Sequence, residues 1–464
     1  MICLNRSMME RYEIVDRRPK ALRVALFGLD PMMLCAAARL LDRANELGAD
    51  LGAVCVSGGD EAEALREQDG MFTLLIRGER EDGSPSREER VVQSILEVVD
   101  VGDGARFAVQ PEVDLFMMSA PIDPGDYVKV VAVLTHYLRL RCEAQLPAPH
   151  VLLLERMPTT RSIPELRACV DELATHIEGI GFLKWLEKVP FHSLLVDSLF
   201  GELSEAEFEK TQREMNYQDR FLLWAEPQLV CATDASLPSE LARVCDAGDF
   251  ERSCAQKRRV FDALVFLCAA TGFLSGMNSF AQVLRDENLR AFIGHAFFDE
   301  LLPVLPWPRE EISSYVISAF ARLENSMNDV PLLQEGLMEV FRHSLLPSIR
   351  AYAGREFEAP AGLTLVLSAA IMIYSGVRRG DSDEFEVLRG QDKFIVRDNP
   401  QLLQAFSLLA HDMPAESLAY AVLADRQLWG EDLREIDGLE LRVAFDLASI
   451  QRVGFRETLR RHET

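Results

Sequence analysis

The sequence predicts an α/β chain in two parts: a mostly parallel sheet with helices on both faces, followed by an all-helical remainder. Three observations carry this. Over the first half, apolar runs of strand length alternate with apolar stripes at helical spacing, the pattern of a layered α/β domain. From about Glu251 onward the strand signal stops and only long helical periodicities follow. Between Ala232 and Glu251 the stretches TDASLPSE and DAGD supply turn residues. These place one domain over residues 20–240 and a second over 250–464.

Leu22 to Gly28, LRVALFG, reads as a buried strand ending in glycine. Ala37, Leu40, Leu41, Ala44 and Leu47 form the stripe of a following helix, and Asp50 to Ser57 a second strand. Strand, tight turn, helix and strand make a βαβ unit. Phe72 to Ile76 is strand-like. Glu88 to Val99 reads as a helix with Val91, Val92, Ile95 and Val98 on one face. Val113 to Ser119 is a strand, Val128 to Leu140 a helix and His150 to Glu155 a strand. Such alternation predicts a Rossmann-type domain. The second half carries helical stripes over Val260–Ala270, Leu289–Leu305, Glu311–Leu323, Leu332–Leu345, Leu363–Ile373, Leu402–Leu409 and Glu440–Ile450.

A chain of 464 residues, 48% hydrophobic and 27% charged, can bury a large core without disulfides. Its nine cysteines are scattered and include no CxxC pair. They read as reduced core residues of a cytoplasmic protein, not as metal ligands or a disulfide framework. A net charge of −25 argues against nucleic acid, because a polyanion would be repelled. It also means that an anionic substrate needs a locally positive pocket. Met1 to Arg18 is charged and lacks the apolar core of a signal peptide. The longest apolar stretch, Leu363 to Tyr374, falls short of the ~20 residues that span a bilayer and reads as a buried helix. No membrane partner is expected.

In a doubly wound sheet the first strand-to-helix turn holds a dinucleotide's pyrophosphate, with glycines permitting close approach. Here that turn reads Gly28-Leu29-Asp30-Pro31-Met32-Met33. Only the first glycine is present. Asp30 adds bulk and negative charge where a second would stand. Two readings stay open: an ordinary turn capped by Asp30, or a modified cofactor site.

Several blocks taken together resemble one family. Asp69-Gly70-Met71-Phe72-Thr73 through Ile76-Arg77-Gly78 is similar to its DG-aromatic-T…RG block. Leu195-Val196-Asp197 is similar to its VDR block, with Ser198 in place of arginine, and Glu226-Pro227 follows. Asp299-Glu300-Leu301-Leu302-Pro303-Val304-Leu305 with Pro308 resembles a further block. Arg322 to Asn325 and Leu345-Leu346-Pro347 resemble two helical landmarks. The family is the mannitol dehydrogenase group of long-chain, NAD-dependent polyol dehydrogenases, and the tagaturonate reductase (altronate oxidoreductase) branch is the one most resembled. The resemblance runs from about Leu22 to Leu441.

The resemblance implies a Rossmann-type domain, a helical substrate domain, and hydride transfer from NADH to a keto-sugar acid in the cleft between them, without a metal. The family's reactive helix reads K-x4-N-x2-H, which on an α-helix spreads the three side chains over an arc of ~140°. Lysine handles the hydroxyl proton, while asparagine and histidine polarise the carbonyl. In this sequence Lys257 matches the lysine, Asp262 stands at the asparagine position and Val265 at the histidine position. The family's S-N-T-T-E turn corresponds to Ser119-Ala120-Pro121-Ile122-Asp123, which keeps a serine and an acid. The implied cofactor contacts are therefore Gly28, Asp30, Ser119 and Asp123. A cysteine-containing strand end is replaced by Glu155-Arg156-Met157, and an expected Asn-Gly falls near Ser162-Ile163. These departures predict that NADH binds weakly or not at all and that neither tagaturonate nor fructuronate is measurably reduced. They leave an alternative: a non-catalytic relative that binds, regulates or associates with a protein partner. His136, His150 and His192 are the histidines that could replace the missing one, and their spacing does not favour it.

Overall fold

The computed structural model describes residues 2–79, 85–100, 113–120, 124–156, 162–176, 180–215, 217–229, 231–233, 237, 239–245, 249–325, 336–352, 359–380, 384–410 and 412–462. The chain divides into two compact units, Met1–Cys254 and Ala255–Thr464.

In the first unit, besides a two-residue parallel pair of Ile2–Cys3 with Tyr217–Gln218, the strands are β1 (Leu22–Phe27), β2 (Gly52–Val56), β3 (Phe72–Glu79), β4 (Pro85–Val92), β5 (Ile95–Val99), β6 (Leu115–Ala120), β7 (His150–Glu155), β8 (Phe191–Val196), β9 (Phe200–Glu202), β10 (Leu223–Ala225) and β11 (Cys231–Thr233). Seven of them form the central sheet in the order β11-β8-β7-β6-β1-β2-β5. It is parallel except for β11, which runs antiparallel to β8. Side chains alternate between its faces. Ala25, Phe27, Phe116, Met118 and Leu153 enter one core, and Leu26, Met117, Leu152 and Leu194 the other. Burial on both faces is why these strands read as continuous apolar runs. The helix after β1, a π-helical stretch Met33–Ala38 leading into α1 (Arg39–Glu46), covers one face through Leu34, Ala37, Leu40 and Leu41. α2 (Gly59–Glu67) adds Ala62 and Leu65 to the same core. α3 (Pro124–Glu143) and α4 (Ser162–Thr175) cover the other face through Val131, Leu134, Leu138, Leu166 and Val170.

A smaller sheet, in the order β9-β10-β3-β4, flanks the main one. Its glycines have defined reasons. Gly70 has φ +75°, and a Cβ there would lie 2.4 Å from the Ile95 carbonyl oxygen. A Cβ on Gly78 would lie 2.3 Å from Cγ of Pro227. The Asp-Gly and Arg-Gly landmarks thus serve chain packing.

Residues 88–99 correct the helical expectation. They form the end of β4, antiparallel to β3, and then β5 at the edge of the central sheet. Phe72 pairs with Val92 and Thr73 with Val91. The β-branched residues at helical spacing are satisfied by distant strand partners, so tertiary pairing overrides the local period.

The second unit contains α5 (Ala263–Leu274), α6 (Arg309–Glu324), α7 (Leu337–Ser344), α8 (Ala361–Tyr374), α9 (Ala415–Leu423), α10 (Leu439–Val453) and α11 (Phe455–His462). Every residue of α8 except Ala361 and Met372 is buried. The Glu300 carboxylate caps its first turn, accepting from the N–H groups of Gly362 and Leu363 at 2.8 Å each. No helix among the described residues is long and apolar enough to cross a membrane. One feature departs from an all-helical expectation: a three-stranded antiparallel sheet of β12 (Arg378–Arg379), β13 (Phe385–Arg389) and β14 (Asp392–Ile395). Arg389 pairs with Asp392 across the turn at Gly390, which has φ +65°, a value suited to a tight hairpin. The Arg389 guanidinium lies over Phe394 at 4.5 Å and over Phe273 of α5 at 4.9 Å, which fastens the hairpin to the helical core.

Candidate functional site

One candidate site, within the first unit, is the turn after β1. β1 lies between β2 and β6, so the chain leaves β1 in one direction for β2 and later returns on its other side. That reversal is the topological switch point, where ligands bind at the carboxyl ends of the strands. Gly28 has φ +100° and its N–H donates to the Val56 carbonyl at 3.0 Å. Its carbonyl accepts from the Cys55 thiol at 3.4 Å. Asp30 Oδ1 accepts the N–H groups of Met32 and Met33 at 2.8 and 3.2 Å. The Ser119 hydroxyl, at the end of β6, donates to Asp30 Oδ2 at 2.6 Å. The structure therefore brings together Gly28, Asp30 and Ser119. Asp123 lies outside the described residues, as does Met157.

Around this turn the carboxyl ends of the strands carry buried polar groups. Glu155, at the end of β7, accepts from the Ser193 hydroxyl at 2.8 Å. The Glu226 carboxylate accepts from the Leu199 N–H at 2.9 Å. Arg39 is 2% exposed and donates to the carbonyls of Glu226 and Pro227 at 2.8 and 2.6 Å. Burial lowers the pKa of its guanidinium to about 10. It ties the helix after β1 to the Glu226-Pro227 segment. Sequence reasoning missed Arg39; its only sequence signal is a charge on an otherwise apolar helical face.

A separate candidate, within the second unit, is the Lys257 segment. Lys257–Asp262 is a π-helical stretch leading into α5. A π turn closes its hydrogen bonds between residues five apart, so such residues lie nearly over one another, and single π turns inside helices recur at functional sites. Lys257 Nζ meets Asp262 Oδ1 at 2.5 Å, with both residues buried. Phe261 is shared: Lys257 Nζ lies 5.8 Å and the Arg322 guanidinium 4.1 Å from its ring centre. Arg259 donates to the Ser348 hydroxyl at 2.7 Å. Val265 is buried and apolar. A third π-helical stretch, Ala296–Leu301, falls on the Asp299–Leu305 block and carries Glu300, the cap of α8.

The histidines do not join the turn. His136 is exposed on α3. His150 and His192 stack with ring centres 6.1 Å apart. They stand near the amino ends of β7 and β8, some five residues of strand away from Glu155 and Ser119, a distance of ~15 Å. Among the described residues no group of three His, Cys, Asp or Glu is placed to hold a metal.

No family model matches the chain. Curated relatives named altronate oxidoreductase do. The one from Pectobacterium atrosepticum is 27% identical over 453 residues, covering 90% of this chain and 91% of its own length. That of Klebsiella pneumoniae is 26% identical over 465 residues, covering 90% and 92%. Among solved structures, the Pseudomonas fluorescens mannitol 2-dehydrogenase ternary complex with NAD and D-mannitol matches with a TM-score of 0.76 at 17% identity, covering 99% of both chains. A D-sorbitol dehydrogenase in substrate-free form matches with a TM-score of 0.71 at 16% identity, covering 99% of this chain and all of that one. The likeness to these two is one of fold.

Proposed function

We propose that the chain is a divergent member of the mannitol dehydrogenase family, a reading supported by its altronate oxidoreductase relatives and by its fold, and that it is an NAD-dependent oxidoreductase that reduces a keto-sugar acid of the tagaturonate type to its polyol acid. In this reading residues 20–240 are the nucleotide-binding part and residues 250–464 carry the proton-handling helix. The relatives are named as oxidoreductases and the solved neighbours as dehydrogenases, one of them an NAD complex, which lends no support to a non-catalytic role. Its cysteines, none of them in a disulfide, suit a reducing cytoplasm.

The observation that carries the proposal is the buried Lys257–Asp262 pair at 2.5 Å, on the helix that keeps the lysine of the family's reactive motif. Reducing a ketone needs a hydride and a proton. Lys257 Nζ is a donor that can meet the developing alkoxide. Asp262 fixes the direction of that donor. In the reductive direction lysine acts as general acid. Val265 supplies no hydrogen bond, so carbonyl polarisation falls to Lys257 alone, and turnover should be slow. A nicotinamide dinucleotide would supply the hydride, and at the turn that would hold its pyrophosphate Asp30 already engages the N–H groups of Met32 and Met33.

The test is NADH consumption by the purified full chain with tagaturonate, fructuronate and, as a neutral ketose, fructose. We expect slow turnover with a keto-sugar acid, faster than with fructose, that Lys257→Met abolishes. No consumption with any of the three at high protein concentration would reject the assignment and return the non-catalytic alternative.

A further inference from the structure

The Asp30 carboxylate uses both of its oxygens on groups that face the switch point. Oδ1 takes the N–H of Met32 and of Met33, and Oδ2 takes the Ser119 hydroxyl from across the β1–β6 crevice. The remaining main-chain donors of the turn are reduced further. The Gly28 N–H is held by the Val56 carbonyl and the Leu34 N–H by the Asp30 carbonyl, and Pro31 has none. A Cβ built on Gly28 would lie 3.4 Å from Asp30 Oδ2, so that oxygen sits over the glycine whose bare backbone a phosphate would approach. A helix N-terminus attracts one anion through its free N–H groups and dipole; here the protein provides that anion itself.

We infer that Asp30 is a built-in anion bridging β1 and β6 through Ser119 and occupying the N–H groups of Met32 and Met33, so that a dinucleotide's pyrophosphate has to compete with that carboxylate to bind. The inference rests on the reading of this turn as the cofactor turn. It makes Asp30 the residue that sets cofactor affinity. Phosphate oxygens and the Asp30 carboxylate compete for the same N–H groups, and their like charges repel at contact distance. Removing the charge while keeping an acceptor for the cap, as Asp30→Asn does, relieves the repulsion and leaves the competition. Asp30→Gly relieves both.

Calorimetric titration of the full chain with NADH, and separately with inorganic pyrophosphate, tests this on the wild type, Asp30→Asn, Asp30→Gly and Ser119→Ala. The expected order of NADH affinity is wild type, then Asp30→Asn, then Asp30→Gly, with at least tenfold between the first and the last. Pyrophosphate should follow the same order. Ser119→Ala, which frees the bridge but leaves the charge, should gain less than Asp30→Asn. Equal NADH affinity in the wild type and both Asp30 variants overturns the inference while the cofactor reading stands. Binding of NADH by none of them overturns both. Asparagine is among the best N-caps, so Asp30→Asn decides the matter alone if the glycine variant does not fold.

Discussion

Removing either half of the Lys257–Asp262 pair should be far more damaging than removing both. At 2.5 Å the two charges attract by about 7 kcal/mol at an effective dielectric of 20. Taking both ions out of water costs several kcal/mol each, so the pair as a whole is worth little net. Lys257→Met takes the ammonium partner from the buried Asp262 carboxylate, and Asp262→Leu takes the carboxylate partner from the buried Lys257. Each should destabilise the chain by about 3–5 kcal/mol. The double variant Lys257→Met with Asp262→Leu replaces the pair by apolar side chains of similar volume and should lie within about 1 kcal/mol of the wild type. The assay is urea denaturation followed by far-ultraviolet circular dichroism, analysed as a double-mutant cycle. The cycle should return a coupling of several kcal/mol. Single variants that each cost less than about 1 kcal/mol, or a double variant as unstable as the two singles summed, would refute the argument from burial.

Three further outcomes follow from other buried groups. Asp446 is 1% exposed, and burial raises its pKa to about 7, against the opposing charge of Arg442. A folded pKa above the unfolded value of ~3.9 means stability that is full below pH ~4 and lost as pH rises through ~7. Asp446→Asn should therefore gain on the wild type between those pH values, by up to roughly 4 kcal/mol, and parallel melting curves across pH would contradict this. His150 is shifted down, chiefly by burial and then by His192. Its contribution is present above pH ~6.5 and lost as pH falls, so His150→Asn should flatten acid destabilisation in thermal melts. Gly70→Ala places a Cβ 2.4 Å from the Ile95 carbonyl oxygen at φ +75°; it should cost more than about 2 kcal/mol in urea denaturation, since the left-handed backbone alone costs ~1–2.

The sequence by itself determined the layered architecture, because burying both faces of a parallel sheet demands apolar runs such as LRVALFG and HVLLLE, and their period is local. It also placed Lys257, Asp262 and Val265 on one helix and Asp30 at the first turn. It did not show that residues 88–99 are strands. Valines at 91, 92 and 98 with Ile95 satisfy helical spacing, and only their partners in β3 and β2 decide against it. The hairpin at 385–395 escaped for a related reason: its strands are short and charged, and Arg389 anchors it on Phe273, more than a hundred residues earlier. The contact between Lys257 and Asp262 depended on a π turn, since five residues on an α-helix would have splayed the two side chains by ~140°. The bridge from Ser119 to Asp30 joins residues 89 positions apart. Chain order carries no trace of it, because it exists only where the parallel sheet sets β6 beside β1 and brings their carboxyl ends to the same edge.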